Sequence, residues 1–139
     1  MKAYSLFAIV LGLFLFTSCD TTSEKEESTD SIPVFQQFAY YKSFQNSRVF
    51  IFITPNATVE QIKRHAGRQM YTKGSTTVAY YYRDAEELER TAVTKATSEQ
   101  VAMEEGLRKD CVAGYVKDAN GKEKFTESPT LSVLLDELK

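Results

Sequence analysis

Few residues in this chain could carry chemistry. His65 is the single histidine, and Cys111 is the one cysteine beyond the first 20 residues. An imidazole acts as a general base when a nucleophile or carboxylate lies within reach. His65 falls three residues after Ile62, at the margin of an apolar helical stripe, and its neighbours mark no such partner, so it reads as a helix-flank histidine. A cysteine attacks as its thiolate, but Cys111 opens the run CVAGYVK and reads as a small buried apolar group. One imidazole and one thiol leave a four-coordinate zinc site two ligands short. The acidic residues Glu86, Glu87, Glu89, Glu104 and Glu105 occupy adjacent helix positions and point apart, whereas glycoside hydrolysis needs two carboxyls facing across a cleft. The expectation is a protein that is not an enzyme and has no cofactor and no metal; a small hydrolase-like enzyme using His65 or Cys111 is the alternative.

Binding is the other use of such residues. Arg64, Arg68 and Lys73 make a modest basic edge that could meet anionic lipid or an acidic partner surface. Aromatic residues cluster in strand-like runs: Phe35, Phe38, Tyr40, Tyr41, Phe44, Phe50, Phe52, Tyr80, Tyr81 and Tyr82. Alternation puts Tyr80 and Tyr82 on one face of a strand and Tyr81 on the other. If helices cover a single face, an aromatic strip stays exposed and is suited to a partner. The expected binding surface is therefore Tyr40, Tyr41, Tyr80, Tyr81 and Tyr82 with Arg64 and Arg68.

Where these residues work is suggested by the start of the chain. Lys2 precedes an unbroken apolar run, Leu6 to Phe16, of signal-peptide length and too short to span a bilayer. Thr17 and Ser18 then precede Cys19. This segment resembles the lipobox of bacterial cell-envelope lipoproteins, with Phe16 standing where leucine is commonest. The resemblance implies cleavage after residue 18, lipid on Cys19, and attachment to a membrane of the bacterial cell envelope, with the outer membrane or cell surface preferred to the inner membrane. Two or three acyl chains hold a protein firmly where one binds marginally. With Cys19 lipidated, Cys111 has no intramolecular partner for a disulfide.

Residues 20–31 (DTTSEKEESTDS) contain no apolar side chain and cannot offset the entropy of ordering, so they read as a flexible acidic tether. After residue 18 the chain carries a net charge of −3; residues 20–30 account for −4 of it, which leaves the part beyond them near +1. A near-neutral domain lacks the basic face that nucleic acid requires. The organisation expected is a signal peptide over 1–18, the lipidated cysteine and tether over 19–31, and a single domain over 32–139.

The elements follow from periodicity and turn chemistry. A strand is expected within Ile32–Phe44, with the turn QNS after it. Arg48–Ile53 (RVFIFI) is apolar on both faces and should be central. Thr58 and Gln61 fit a capping box for a helix carrying Val59, Ile62, Ala66 and Met70 inward, and Thr76–Tyr82 is a second strand. Strand, helix and strand in about 35 residues predict a βαβ unit with parallel strands. A weak helix is expected after Asp84, and one capped by Ser98 that runs to about Lys109. CVAGYVK and KEKFT predict a hairpin. A three-residue loop over 119–121 pairs Lys117 with Glu123 and Tyr115 with Phe125, and avoids the like-charge pairs of a two-residue loop. Ser128-Pro129 starts a short last helix carrying Leu131, Leu134, Leu135 and Leu138.

The fold class expected is α/β or α+β: a two-layer single domain with a four- to five-stranded mixed sheet, a βαβ unit, a hairpin in the C-terminal half, a short C-terminal helix and helices mostly on one face. The functional expectation is a non-enzymatic, membrane-tethered binding module with a protein partner in the cell envelope. A structural role in an envelope assembly is a further alternative.

Overall fold

A computed structural model describes residues 31–130 together with 132, 133 and 136. The signal segment, Cys19 and the acidic residues up to Asp30 lie outside the described residues, as do Leu131, Leu134, Leu135 and Leu138 of the last helix. From Ser31 onward the chain is one compact unit.

Five strands form one mixed sheet in the order β1-β2-β3-β4-β5: Gln36–Lys42, Arg48–Ile53, Thr77–Tyr82, Ala113–Lys117 and Glu123–Glu127. The middle pair, β2 with β3, is parallel, and the other three pairs are antiparallel. A parallel pair needs a crossover, and helix α1 (Val59–Ala66) supplies it. Two more helices, α2 (Arg90–Thr94) and α3 (Glu99–Gly106), lie in the connection from β3 to β4.

The sheet is apolar on both faces, so both must be covered. Val49, Ile51, Val78, Tyr80, Tyr82 and Val116 form one core with Val93 of α2 and with Ala102 and Met103 of α3. Phe50, Phe52, Ala79, Tyr81, Ala113 and Tyr115 form the other with Ile62 and Ala66 of α1. Helices α2 and α3 thus share a face, and α1 adds a partial third layer on the other. Central position buries β3 completely: all six of its residues are buried, with Tyr80, Tyr81 and Tyr82 at 0% exposure.

Local chemistry sets the element ends. The Thr58 hydroxyl accepts from the Gln61 amide, and the Gln61 side chain accepts from the Thr58 amide at 2.8 Å, completing the capping box. The Ser98 hydroxyl accepts from the Val101 amide at 3.2 Å to start α3. That helix stops at Gly106, earlier than Lys109, because its end is locked to the sheet. The Tyr82 hydroxyl donates to the Gly106 carbonyl at 2.6 Å and accepts from the Arg108 amide at 2.9 Å.

The β4–β5 register is Lys117 with Glu123 and Tyr115 with Phe125. Gly121 turns at φ +88°, and the Asp118 carboxylate accepts from the amides of Asn120 and Lys122, both at 2.9 Å. This is the three-residue loop that cross-strand charge favours. In β1 a bulge between Gln37 and Ala39 changes which way the chain faces. Phe35 before it and Tyr40 after it, five positions apart, consequently pack on the same α1 side.

Candidate functional site

The site begins with the extended segment that leads into β1. Asn56, in the turn after β2, holds it with one side-chain amide: its oxygen accepts from the Val34 amide at 2.9 Å, and its nitrogen donates to the Ile32 carbonyl at 3.0 Å. A side chain here replaces a ladder partner, and it turns Phe35 onto the start of the aromatic core.

Phe35 lies flat on His65 of α1, with ring centroids 4.0 Å apart and planes 3° from parallel. Phe52 meets the His65 ring edge-on at 4.7 Å, and Tyr81 does so at 5.7 Å. Behind them the rings continue, Phe52 stacking on Tyr81 at 5.3 Å and Phe50 on Phe52 at 5.8 Å. Such pairs each contribute about 0.5–1.5 kcal/mol beyond burial, so the imidazole sits in a stiff aromatic frame.

Two polar groups converge on one ring nitrogen. The Tyr81 hydroxyl lies 3.0 Å from Nδ1 of His65, and the Gln69 amide nitrogen lies 3.2 Å from it. That amide nitrogen also donates to the carbonyl of His65 at 3.1 Å, which identifies it as the NH₂ end. The same nitrogen also lies 3.5 Å from Nε2 of the ring, so the Gln69 amide donates along the imidazole edge while the Tyr81 hydroxyl, which can donate or accept, pairs with Nδ1. Burial, joined by the positive charge of Arg68, lowers the His65 pKa below its ordinary 6.5. The imidazole is thus held neutral at pH 7.

His65 lines a cleft of about 370 Å³ between α1 and the segment leading into β1, together with Pro33, Phe35, Gln61, Arg64 and Arg68. Gln61, Arg64 and His65 recur at i, i+3 and i+4 on one face of α1, and Arg68 follows in the turn that closes the helix. Arg64 and Arg68 are exposed, and among the described residues no carboxylate pairs with either. Two guanidiniums without a carboxylate partner among the described residues, a neutral imidazole and an aromatic wall suit an anionic group with an apolar or planar neighbour.

The structure separates the expected binding residues. Arg64 and Arg68 come together at the cleft. Tyr80, Tyr81 and Tyr82 do not form a binding surface: helices on both sides of central β3 take all three into the core, and only the Tyr81 hydroxyl reaches the cleft machinery, from behind His65. Tyr40 and Tyr41 are half-buried on edge strand β1, packed on opposite faces, with Tyr40 against Phe50 at 4.9 Å. Lys73 is exposed in the loop before β3 and does not line the cleft.

Cys111 is buried; its thiol bonds to the Ala113 carbonyl at 3.2 Å, and burial pushes its pKa up to about 11. That is a thiol kept from ionising. Among the described residues no group of three or more His, Cys, Asp or Glu side chains could hold a metal ion, and no helix is long and apolar enough to cross a membrane.

Gln69 and the Asn56 clamp escape a reading of the sequence. The signal that would have found the cleft is the polar stripe at 61, 64, 65 and 68, which runs beside the apolar one. No family model, no curated protein and no solved structure matches this chain.

Proposed function

We propose that this chain is a lipid-anchored binding module of the bacterial cell envelope, and that its cleft at His65 receives an anionic group on its ligand or protein partner. The observation that carries the reading is the convergence of Arg64, Arg68 and a neutral His65 at one cleft, with neither arginine paired to a carboxylate among the described residues. A guanidinium binds carboxylate or phosphate with directed hydrogen bonds, and the imidazole adds a neutral polar ring whose orientation Tyr81 and Gln69 fix. The anchor part of the reading rests on Cys19 and the apolar run before it.

Ligand binding to the folded state raises the thermal midpoint. Millimolar phosphate, compared with chloride at equal ionic strength, should raise the midpoint of the wild type by more than that of the Arg64→Gln/Arg68→Gln variant. Equal shifts in both would reduce the effect to general salt exclusion and remove the cleft from the account. For the anchor, metabolic labelling with a fatty-acid analogue should mark the wild type and leave Cys19→Ala unmarked; equal label in both contradicts lipidation at Cys19.

One observation favours a second reading, that of a small hydrolase-like enzyme: His65 lies in a cleft and meets a hydroxyl at 3.0 Å. Tyr81, however, is fully buried, and its burial raises the phenol pKa well above the ordinary 10.0, so its hydroxyl orients the ring and is not placed to attack a ligand. The enzyme reading predicts that His65→Gln abolishes a measurable turnover while anion binding persists.

A further inference from the structure

Where β2 and β3 begin, the sheet carries charges that do not line the cleft. Lys42, Arg48, Thr77, Lys117 and Glu123 are register partners in turn from β1 to β5, so they form one row across the sheet. Each stands two positions from a residue of the α1-side core, as Lys42 does from Tyr40 and Arg48 from Phe50, and the row therefore lies on that face.

Three cations and one acid make up the row. Lys117 is satisfied, because it pairs with Glu123 at 2.6 Å and lies over the Tyr71 ring at 4.7 Å. Lys42 and Arg48 are not. They stand directly opposite each other on an antiparallel pair, where like charges repel. Neither has a carboxylate partner among the described residues. Asp118, the next acid along the β4–β5 hairpin, uses its carboxylate on the amides of Asn120 and Lys122.

Arg48 is the anomaly of the pair, because it is only 5% exposed. A guanidinium taken out of water without a counter-charge is costly. Its Nη1 donates to the Asn46 carbonyl and to the Thr72 hydroxyl, both at 3.0 Å, which ties β2 to the turn before it and to loop 67–76. Both acceptors are neutral, and a neutral amide could donate two such bonds without burying a charge. Nε is buried with no hydrogen-bond partner, and Nη2 has none among the described residues. Nε–H and the adjoining Nη2–H form the fork with which arginine grips a carboxylate or phosphate. One edge of the guanidinium thus holds the fold, and the edge suited to an oxyanion is unpaired. The Thr72 hydroxyl accepts from Arg48 and has its own proton to donate.

We infer that Lys42, Arg48 and Thr72 form a second anion site, which takes the oxygen atoms of a phosphate or carboxylate group on the Nε–Nη2 edge of Arg48. Nε lies beneath its neighbours, so the anion enters with a small adjustment of the side chains over it. Lys42, exposed on edge strand β1, is the open side of the row. The bound charge offsets two cations that the register places together. None of the three residues lines the His65 cleft, so this site is independent of the one there.

The reporter is the Nε–H cross-peak of Arg48 in a proton–nitrogen correlation spectrum of the full chain, assigned by its loss in Arg48→Lys. Phosphate replaces chloride at constant pH and ionic strength. The Nε–H peak and the Thr72 amide should shift saturably, and both shifts should persist in Arg64→Gln/Arg68→Gln. They should be lost in Lys42→Glu, which sets a carboxylate opposite Arg48 and supplies the counter-charge from the chain itself. In chloride the urea midpoint of that variant should lie above the wild type's. Lys42 is exposed, so the substitution leaves the core intact.

An Nε–H peak that does not respond overturns the inference. So does a response unchanged in Lys42→Glu, or a midpoint in that variant no higher than the wild type's. A response lost in Arg64→Gln/Arg68→Gln also overturns it, since the peak then reports the cleft. The His65 ring separates the two sites. If the ring responds and the Arg48 peak does not, the cleft stands and only the second site falls; if the peak responds and the ring does not, the second site stands without the cleft.

Discussion

Tyr80 and Tyr82 stand two positions apart on the same face of β3, equally buried, yet their hydroxyls have opposite fates. Tyr82 bridges the Gly106 carbonyl and the Arg108 amide, whereas the Tyr80 hydroxyl is buried with no hydrogen-bond partner among the described residues. Removing a satisfied hydroxyl strands two backbone groups, while removing an unsatisfied one relieves a desolvation cost. Tyr82→Phe should therefore destabilise by about 1–3 kcal/mol, and Tyr80→Phe should be neutral or stabilising by up to about 1 kcal/mol, read as urea midpoints. Both hydroxyls look alike in the run TVAYYY, because a partner 24 residues away is invisible in the sequence. His65 makes the same point in titration. Its folded-state pKa is lowered, so between that value and the ordinary 6.5 the unfolded chain binds the proton more readily. Stability should accordingly fall as pH drops through this window, and His65→Gln should lose that part of the pH dependence. A urea midpoint in the wild type no more sensitive to acid than in His65→Gln contradicts the buried, neutral ring.

At the scale of elements, patterning made the strands legible and neighbours decided their use. Alternation in RVFIFI assigns Val49 and Ile51 to one face and Phe50 and Phe52 to the other, and both faces are filled as assigned. Charge across the hairpin selects its register, since Lys117 and Glu123 meet at 2.6 Å. The apolar stripe of α1 runs out sooner than the spacing suggests: the helix ends at Ala66, and Met70 is left 64% exposed in the loop that returns to β3. The bulge in β1 is equally silent in sequence, although it brings Phe35 to the cleft side. Close packing of α3 on the sheet is a third hidden feature. A Cβ on Gly106 would lie 2.8 Å from Ile51 Cδ1 and 3.2 Å from the Tyr80 ring, both fixed in the core. Gly106→Ala should thus destabilise by about 1–3 kcal/mol, as overpacking does, and a midpoint unchanged in urea would show that α3 can move off the sheet.

For the whole molecule, the consequence of the fold is where it leaves chemistry available. Covering both faces of the sheet removes Tyr80, Tyr81 and Tyr82 from the surface and buries Cys111, so polar groups converge at the end of α1. Arg64 and Arg68 were legible as a basic edge. Their meeting with Phe35 was not, because it depends on an asparagine clamp and a bulge in distant segments. In the function proposed above, Arg64, Arg68 and His65 act as one anion-binding site. His65 is the single histidine, so its ring resonances are assigned without ambiguity. The direct measurement is the nitrogen and Cε1 proton shifts of that ring during titration with phosphate at constant pH and ionic strength. A saturable shift is expected, lost in Arg64→Gln/Arg68→Gln. A ring that does not respond, or that responds equally in the variant, contradicts it.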